Sequence, residues 1–442
     1  MNGQAKTAQA KTAQAKTVQA KTSPAQQPGP ASVPYAAKWL KPSRIRAQAI
    51  VLALCVWGVC TVDFATPGLF DRAGNIKFQD FLPSYIAARL IAQGRATELY
   101  NEQVTADAMQ AVVGQPIRVR LPNLYGPQLG LFFVPLARFS FPVAARIWVA
   151  ASLLILTGCI YFVWRSCPSL RLHSGTVFIC AIAFPPLFHF FVRGQMSALV
   201  LACFTMASLA FRADRSWLAG VALGFLVFKP QFLVAIPIVL LLSQAWKPFA
   251  GLVVAAGAQL ALTRIYFGSA VTHAYFDALR HVSRGGVELS LAPIQMHSLR
   301  SFWSLLIPWP EVAFALYVLS SIVVIGIAAA VWKSSPSLAI RFSALTLVAV
   351  LVNPHLFVYD LLVLAPVLLL LVDWTLTNSQ PVLSSTLQLL LYLAYILPLF
   401  GPLSRWTHVQ LSVPAFAVLL WVLWRLSKTP RHKLASNEFG VV

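Results

Sequence analysis

The chain has 442 residues, of which 58% are hydrophobic and 11% charged, against about 25% charged in a soluble domain. Its 34 Lys/Arg outnumber its 13 Asp/Glu, for a formal charge of +21, yet the bases are scattered between apolar runs, which argues against nucleic-acid binding. About a dozen stretches approach the roughly 18 apolar residues that a membrane-crossing helix needs, so the sequence reads as an all-α polytopic membrane protein whose cations face anionic lipid.

Residues 1–46 repeat Ala-Lys-Thr every five residues (Lys6, Lys11, Lys16, Lys21) before a Pro-rich stretch. Low complexity without an apolar face predicts a disordered basic tail. The first span is expected near 47–65. Eight Lys/Arg precede it, and the positive-inside rule therefore places the N-terminus in the cytoplasm. Residues 66–141 then form a first outer region. Within it, Leu82, Ile86, Leu90 and Gln93 follow helical spacing after Asp80, which predicts an amphipathic helix on the membrane surface. Residues 124–140, apolar but interrupted by Pro127 and Pro135, read as a juxtamembrane or re-entrant helix.

Further spans are expected near 142–164, 174–191 and 196–211. The run from Trp217 to Trp246 is broken at Lys229-Pro230 into two short spans, and another follows at 249–267. Residues 268–310 form a second outer loop containing Asp277, Arg280, His281, Arg284, Glu288, His297 and Arg300. The remaining spans fall near 311–332, 337–353, 356–374, 382–400 and 409–426, before a basic tail at 427–442. Twelve spans with both termini cytoplasmic satisfy the charge rule at most loops. They make 47–426 one membrane domain. The six cysteines lie in or beside the spans without metal-ligand spacing, so no structural disulfide is expected.

This topology places Asp80, Arg193, Gln195, Lys229, Asn353, His355 and the loop 268–310 on one face. Polar groups at membrane depth are costly unless they serve a cavity or a path. Asp80 reads either as a helix cap or as a general base at the water–lipid boundary, with Asp63 and Asp71 as rivals. Arg193, followed by Gly194 and Gln195, reads as a snorkelling side chain or as a phosphate fork. Lys229, beside a helix-breaking proline, calls for a buried anion. His355 is a structural hydrogen-bonder or a catalyst, and Asp360, inside an apolar span, needs a partner. The histidines lack ligand spacing and no Gly-rich nucleotide cradle is present, so no metal and no cofactor is expected.

In order along the chain, Asp80, Tyr85, Gly94 and Leu99-Tyr100, then YGPQLGLFFVPLARFSFPVAARIW, RGQMSALVL, AGVALGFLVFKPQ and NPHLFVYDLLVLAP form a pattern. Through it the chain resembles glycosyltransferase family 87, polytopic enzymes of the GT-C superfamily. The resemblance implies a GT-C-type bundle and a donor of the polyprenyl-phosphate mannose type. It also implies an acidic residue in the first outer loop as catalytic base, which maps onto Asp80. Tyr359 stands where many members carry the first of two late histidines, and His355 lies one turn earlier as its candidate substitute. The expected reaction moves a sugar from the lipid-linked donor to a glycan or glycolipid acceptor. In it, Lys229, Arg193 and Gln195 meet the donor phosphate, and Tyr85, Asn353, Tyr359 and Arg300 line the pocket. The family is mainly bacterial, which implies a bacterial inner membrane with the site on the extracytoplasmic side. The alternative is a lipid or glycolipid flippase without transfer chemistry; no convincing repeat between the two halves favours it.

Overall fold

The computed structural model describes residues 40–117, 121–283, 293–378 and 381–428. Residues 1–39 and 429–442, most of the tails predicted at 1–46 and 427–442, lie outside the described residues, as do Arg284 and Glu288. The first helix, α1 (Pro42–Phe64), begins earlier than the expected tail boundary at residue 46. Pro42 at its first position explains why, because a proline ring is pre-set for helix entry and its missing N–H would be unpaired there anyway.

The remaining helices follow the expected order. The first outer region holds α2 (Leu82–Ala92), α3 (Glu102–Val113) and α4 (Pro127–Phe133). Then come α5 (Phe141–Arg165), α6 (Ser174–Ile182), α7 (Pro185–Arg193) and α8 (Ser197–Arg212). They are followed by α9 (Ser216–Gly224), α10 (Ile236–Leu242), α11 (Trp246–Ser283) and α12 (Leu299–Leu306). The chain closes with α13 (Pro310–Ser334), α14 (Leu338–Leu351), α15 (Leu364–Thr377), α16 (Pro381–Ile396) and α17 (Ser412–Ser427). Among the described residues the only β pairing is two isolated bridges, Phe70 with Ile76 and Met296 with Phe357.

Six helices are long and apolar enough to cross a bilayer, or seven if the pair α6 and α7, bent by 49°, counts as one span. Twelve such helices are therefore not found among the described residues. The other five expected spans coincide with shorter helices of 10–17 residues. Their burial accounts for the difference: every residue from Phe342 to Leu351 of α14 is buried, as are most of those in α8. An apolar helix surrounded by protein is hydrophobic all round whether or not it spans.

The helix at 82–92 forms, and Leu82, Pro83, Ser84, Tyr85, Ile86, Ala87, Ala88 and Leu90 are all buried, so most of its surface packs on protein. The predicted loop from 268 begins as helix, because α11 runs on to Ser283 through a kink at Gly268, whose φ of 79° suits glycine. Asp277 and Arg280 therefore sit one turn apart on a helix, as an exposed ion pair at 3.0 Å.

α9 and α11 cross at close range because glycines line the contact. A Cβ added at Gly220 would overlap the carbonyl of Pro248, and one at Gly251 the carbonyl of Trp217. Gly158, inside α5, has open space around it. We expect Gly220→Ala to destabilise the protein by about 1–3 kcal/mol, read as an earlier thermal unfolding in detergent. Gly158→Ala should be neutral or stabilising by up to about 1 kcal/mol. Equal unfolding temperatures for the two variants would refute the close crossing.

Candidate active site

The site is built where four helices end or break. Phe78 and Asp80 donate backbone hydrogen bonds to the carbonyls of Val192 (3.3 Å) and Arg193 (3.0 Å), which staples the first loop to the end of α7. Gly194 ends α7 with φ 67°, and a Cβ there would stand 3.1 Å from the Cβ of Phe78. Glycine thus supplies both the left-handed turn and the close approach. From α5, Trp148 Nε1 donates to the Gly194 carbonyl at 3.1 Å.

Gln195 Nε2 donates to Asp80 Oδ2 at 2.9 Å. Its Oε1 accepts from the Tyr125 hydroxyl at 3.1 Å and from the Met196 amide at 3.0 Å. With two donors facing the oxygen, the amide nitrogen must face the carboxylate. Arg193 lies 3.9 Å from Asp80 Oδ1, with its side chain 35% exposed against 13% for Asp80. Asp80 does not cap α2: the cap position is Phe81 and no side chain bonds there. Burial pushes the Asp80 carboxyl above the ordinary carboxylate range, against the opposing pull of Arg193, the Gln195 hydrogen bond and Lys229.

The second half of the site answers the question posed by Lys229. Its backbone (φ −131°, ψ 70°) joins two short 3-10 helices, Phe225–Phe228 and Pro230–Leu233, because Pro230 forces the preceding residue out of the helical region. Its Nζ meets Asp360 Oδ1 at 2.5 Å, with side-chain exposures of 4% and 1%. Ser197 Oγ donates to the same oxygen at 2.8 Å, and the rings of Tyr359 and Phe232 lie 5.6 and 5.9 Å from the ammonium. The buried anion for Lys229 is thus Asp360 itself, carried on the 3-10 helix Val358–Val363. Asp360 Oδ2 and Asn353 Nδ2 are buried with no hydrogen-bond partner among the described residues.

The expected residues divide. Asp80, Arg193, Gln195, Lys229 and Tyr359 come together around Asp80 and Asp360. His355 and Arg300 are neighbours of one another: burial, then the Arg300 charge, lowers the His355 imidazole to about 4. Asn353 Oδ1 accepts from the His355 amide at 2.9 Å, which turns the chain after α14. Tyr85 is not brought to the cluster. Its hydroxyl donates to the Phe139 carbonyl at 2.7 Å, and its ring contacts Phe141 and Phe81. Tyr125, Ser197 and the Asp360 partnership escaped the sequence reading. His297, named in the second outer loop, is tied down locally: its amide donates to the Leu356 carbonyl at 2.8 Å and its Nδ1 lies 2.7 Å from Ser412 Oγ. Among the described residues no group of three or more His, Cys, Asp or Glu could hold a metal ion.

The described helices, several of them long and apolar enough to cross a membrane, carry a part-buried carboxylate beside a guanidinium where helices end. A family model described as Glycosyltransferase family 87 matches residues 123–364, more than half of the chain, and the chain belongs to that family. The family indicates a glycosyltransferase. The matched stretch contains Arg193, Gln195, Lys229 and Asp360, and Asp80 precedes it. No curated protein and no solved structure matches the chain.

Two outcomes are expected from this geometry. Replacing one member of the buried ion pair, as in Asp360→Asn or Lys229→Met, leaves the other uncompensated and should cost about 3–5 kcal/mol, while the double variant Lys229→Met/Asp360→Leu should recover much of it; thermal unfolding in detergent reads both. In transfer assays, activity should fall as pH drops through the Asp80 pKa, with that limb above the value of about 4 usual for aspartate. Gln195→Leu removes a hydrogen bond that favours the ionised form and should move the limb to still higher pH. An unmoved limb would separate Gln195 from the ionisation of Asp80.

Proposed function

We propose that the protein transfers a hexose, mannose in the reading favoured by its family resemblance, from a polyprenyl-phosphate donor to a hydroxyl of a glycan or glycolipid acceptor. The membrane is then a bacterial inner membrane and the site faces its extracytoplasmic side. The observation that carries this reading is the Asp80–Gln195–Arg193 arrangement. It offers a carboxylate oriented by one hydrogen bond and, beside it, a guanidinium exposed enough to turn toward a phosphate.

Asp80 accepts the proton of the acceptor hydroxyl, and the acceptor oxygen forms a bond to the anomeric carbon. The bond from that carbon to the donor phosphate oxygen breaks, and its electron pair stays on the leaving phosphate, whose charge Arg193 offsets. A single displacement inverts the anomeric centre. The donor carries its own leaving group, so the reaction as written uses no cofactor. Lys229, already paired with Asp360, contributes to the local positive field and shares its proton donors with the phosphate when the donor is bound. Gln195 acts as a positioning residue for the carboxylate, a different role from the direct phosphate contact that the sequence suggested.

In membranes supplied with labelled polyprenyl-phosphate mannose, Asp80→Asn should lower transfer by about 10²–10⁴-fold, the usual worth of a general base, at unchanged protein level. Transfer at the wild-type rate in that variant would remove Asp80 from the mechanism. Movement of label across the bilayer without transfer by the wild type would overturn the transferase reading in favour of a flippase.

A further inference from the structure

We propose that a cavity between α1, α6, α15 and α16 holds the hydrocarbon of an anionic phospholipid, with the lipid phosphate bound at the cavity mouth by Arg46 and His173. This site is separate from the Asp80 cluster and does not depend on the reaction proposed above. The cavity has a volume of about 440 Å³, and aliphatic side chains such as Leu52, Leu156, Val177, Leu369 and Leu391 dominate its walls.

The cavity is polar at one end. Gln48, His173 and Thr176 line it near the start of α1, and the Tyr392 hydroxyl donates to Gln48 Oε1 at 2.9 Å. Arg46 is held at this mouth by Thr176 Oγ1, which accepts from its Nε at 3.2 Å and its Nη2 at 2.9 Å. A guanidinium has five N–H donors in a fixed fork, so donors remain for a phosphate. Lys41, Arg171 and His173 are exposed nearby, and Arg171 donates through one nitrogen to the Arg165 carbonyl. The acid in this neighbourhood is Asp373, whose Oδ1 is taken up by the amides of Ser169 and Leu170 at 2.8 and 3.3 Å. The mouth is therefore cationic.

The opposite end is bounded by Phe184, Leu187, Leu362 and Ile396, with no charged lining group among the described residues. Beyond it, Trp57 closes on Phe188 and Phe191 at 6.4 and 5.4 Å. A phospholipid carries its charge at one end and so does this cavity, which fixes the direction of the lipid.

The full-length protein, reconstituted in phosphatidylcholine vesicles doped with phosphatidylglycerol and re-extracted into detergent, should retain phosphatidylglycerol preferentially when its lipids are measured by mass spectrometry. Arg46→Glu/His173→Glu, at two exposed positions, should reduce that preference by at least about fivefold, the worth of the one Arg charge near an anionic phosphate. Ala365→Trp, which adds bulk to the cavity wall, should reduce retention of both lipids. Asp80→Asn should retain phosphatidylglycerol like the wild type, which separates this result from any failure of the transferase reading. Equal retention of the two lipids, an unchanged preference in the Arg46/His173 variant, or displacement of phosphatidylglycerol by added polyprenyl phosphate would overturn the proposal.

Discussion

A lysine ammonium and an aspartate carboxylate share a hydrogen bond where almost no solvent reaches, and each is carried on a stretch of chain that has stopped being α-helical. Desolvating either charge alone would cost several kcal/mol, so the two breaks have to meet. Lys229 lies between two 3-10 helices and Asp360 within a third. Ser197, at the first position of α8, supplies a further donor to the same carboxylate oxygen. One ion pair thereby ties α8, the break at Lys229 and the 353–360 segment together. The Asp80–Gln195 arrangement stands on the residues directly before Ser197.

The burial of the short helices follows from this tie. A helix of about 14 residues covers about 21 Å, well short of a hydrocarbon layer of about 30 Å. α14 is of that length and is almost wholly enclosed, so its apolar character reflects neighbouring protein, not lipid. α1 is the opposite case: it is long enough to cross and its surface is mostly exposed, with Leu54 at 70%. α14 thus lies among other helices, whereas most of the surface of α1 is free of protein contacts.

Much of this was legible in the sequence, and the reasons for the failures are specific. Helix positions could be read because apolar runs are punctuated by proline and charge, as at Lys229-Pro230. Composition does not decide the span count, because an enclosed helix and a lipid-facing helix are alike when both are apolar throughout. Lys229 was recognised as needing an anion, and Asp360 as needing a partner, but 131 residues separate them and no local spacing links them. Tyr85 was misplaced for a related reason: sequence shows a hydroxyl beside an acid, whereas the Phe139 carbonyl that engages it lies 54 residues on. Tyr125 gave no signal of its own. Its role exists only through the side chain of Gln195.

The two main-chain hydrogen bonds from Phe78 and Asp80 to the end of α7 have a corollary for motion. The acid and the guanidinium are joined through backbone as well as through side chains, so neither can swing aside without carrying the other. Any opening of this region must therefore hinge on other walls of the site, and carboxylate and guanidinium would move as a single preassembled jaw.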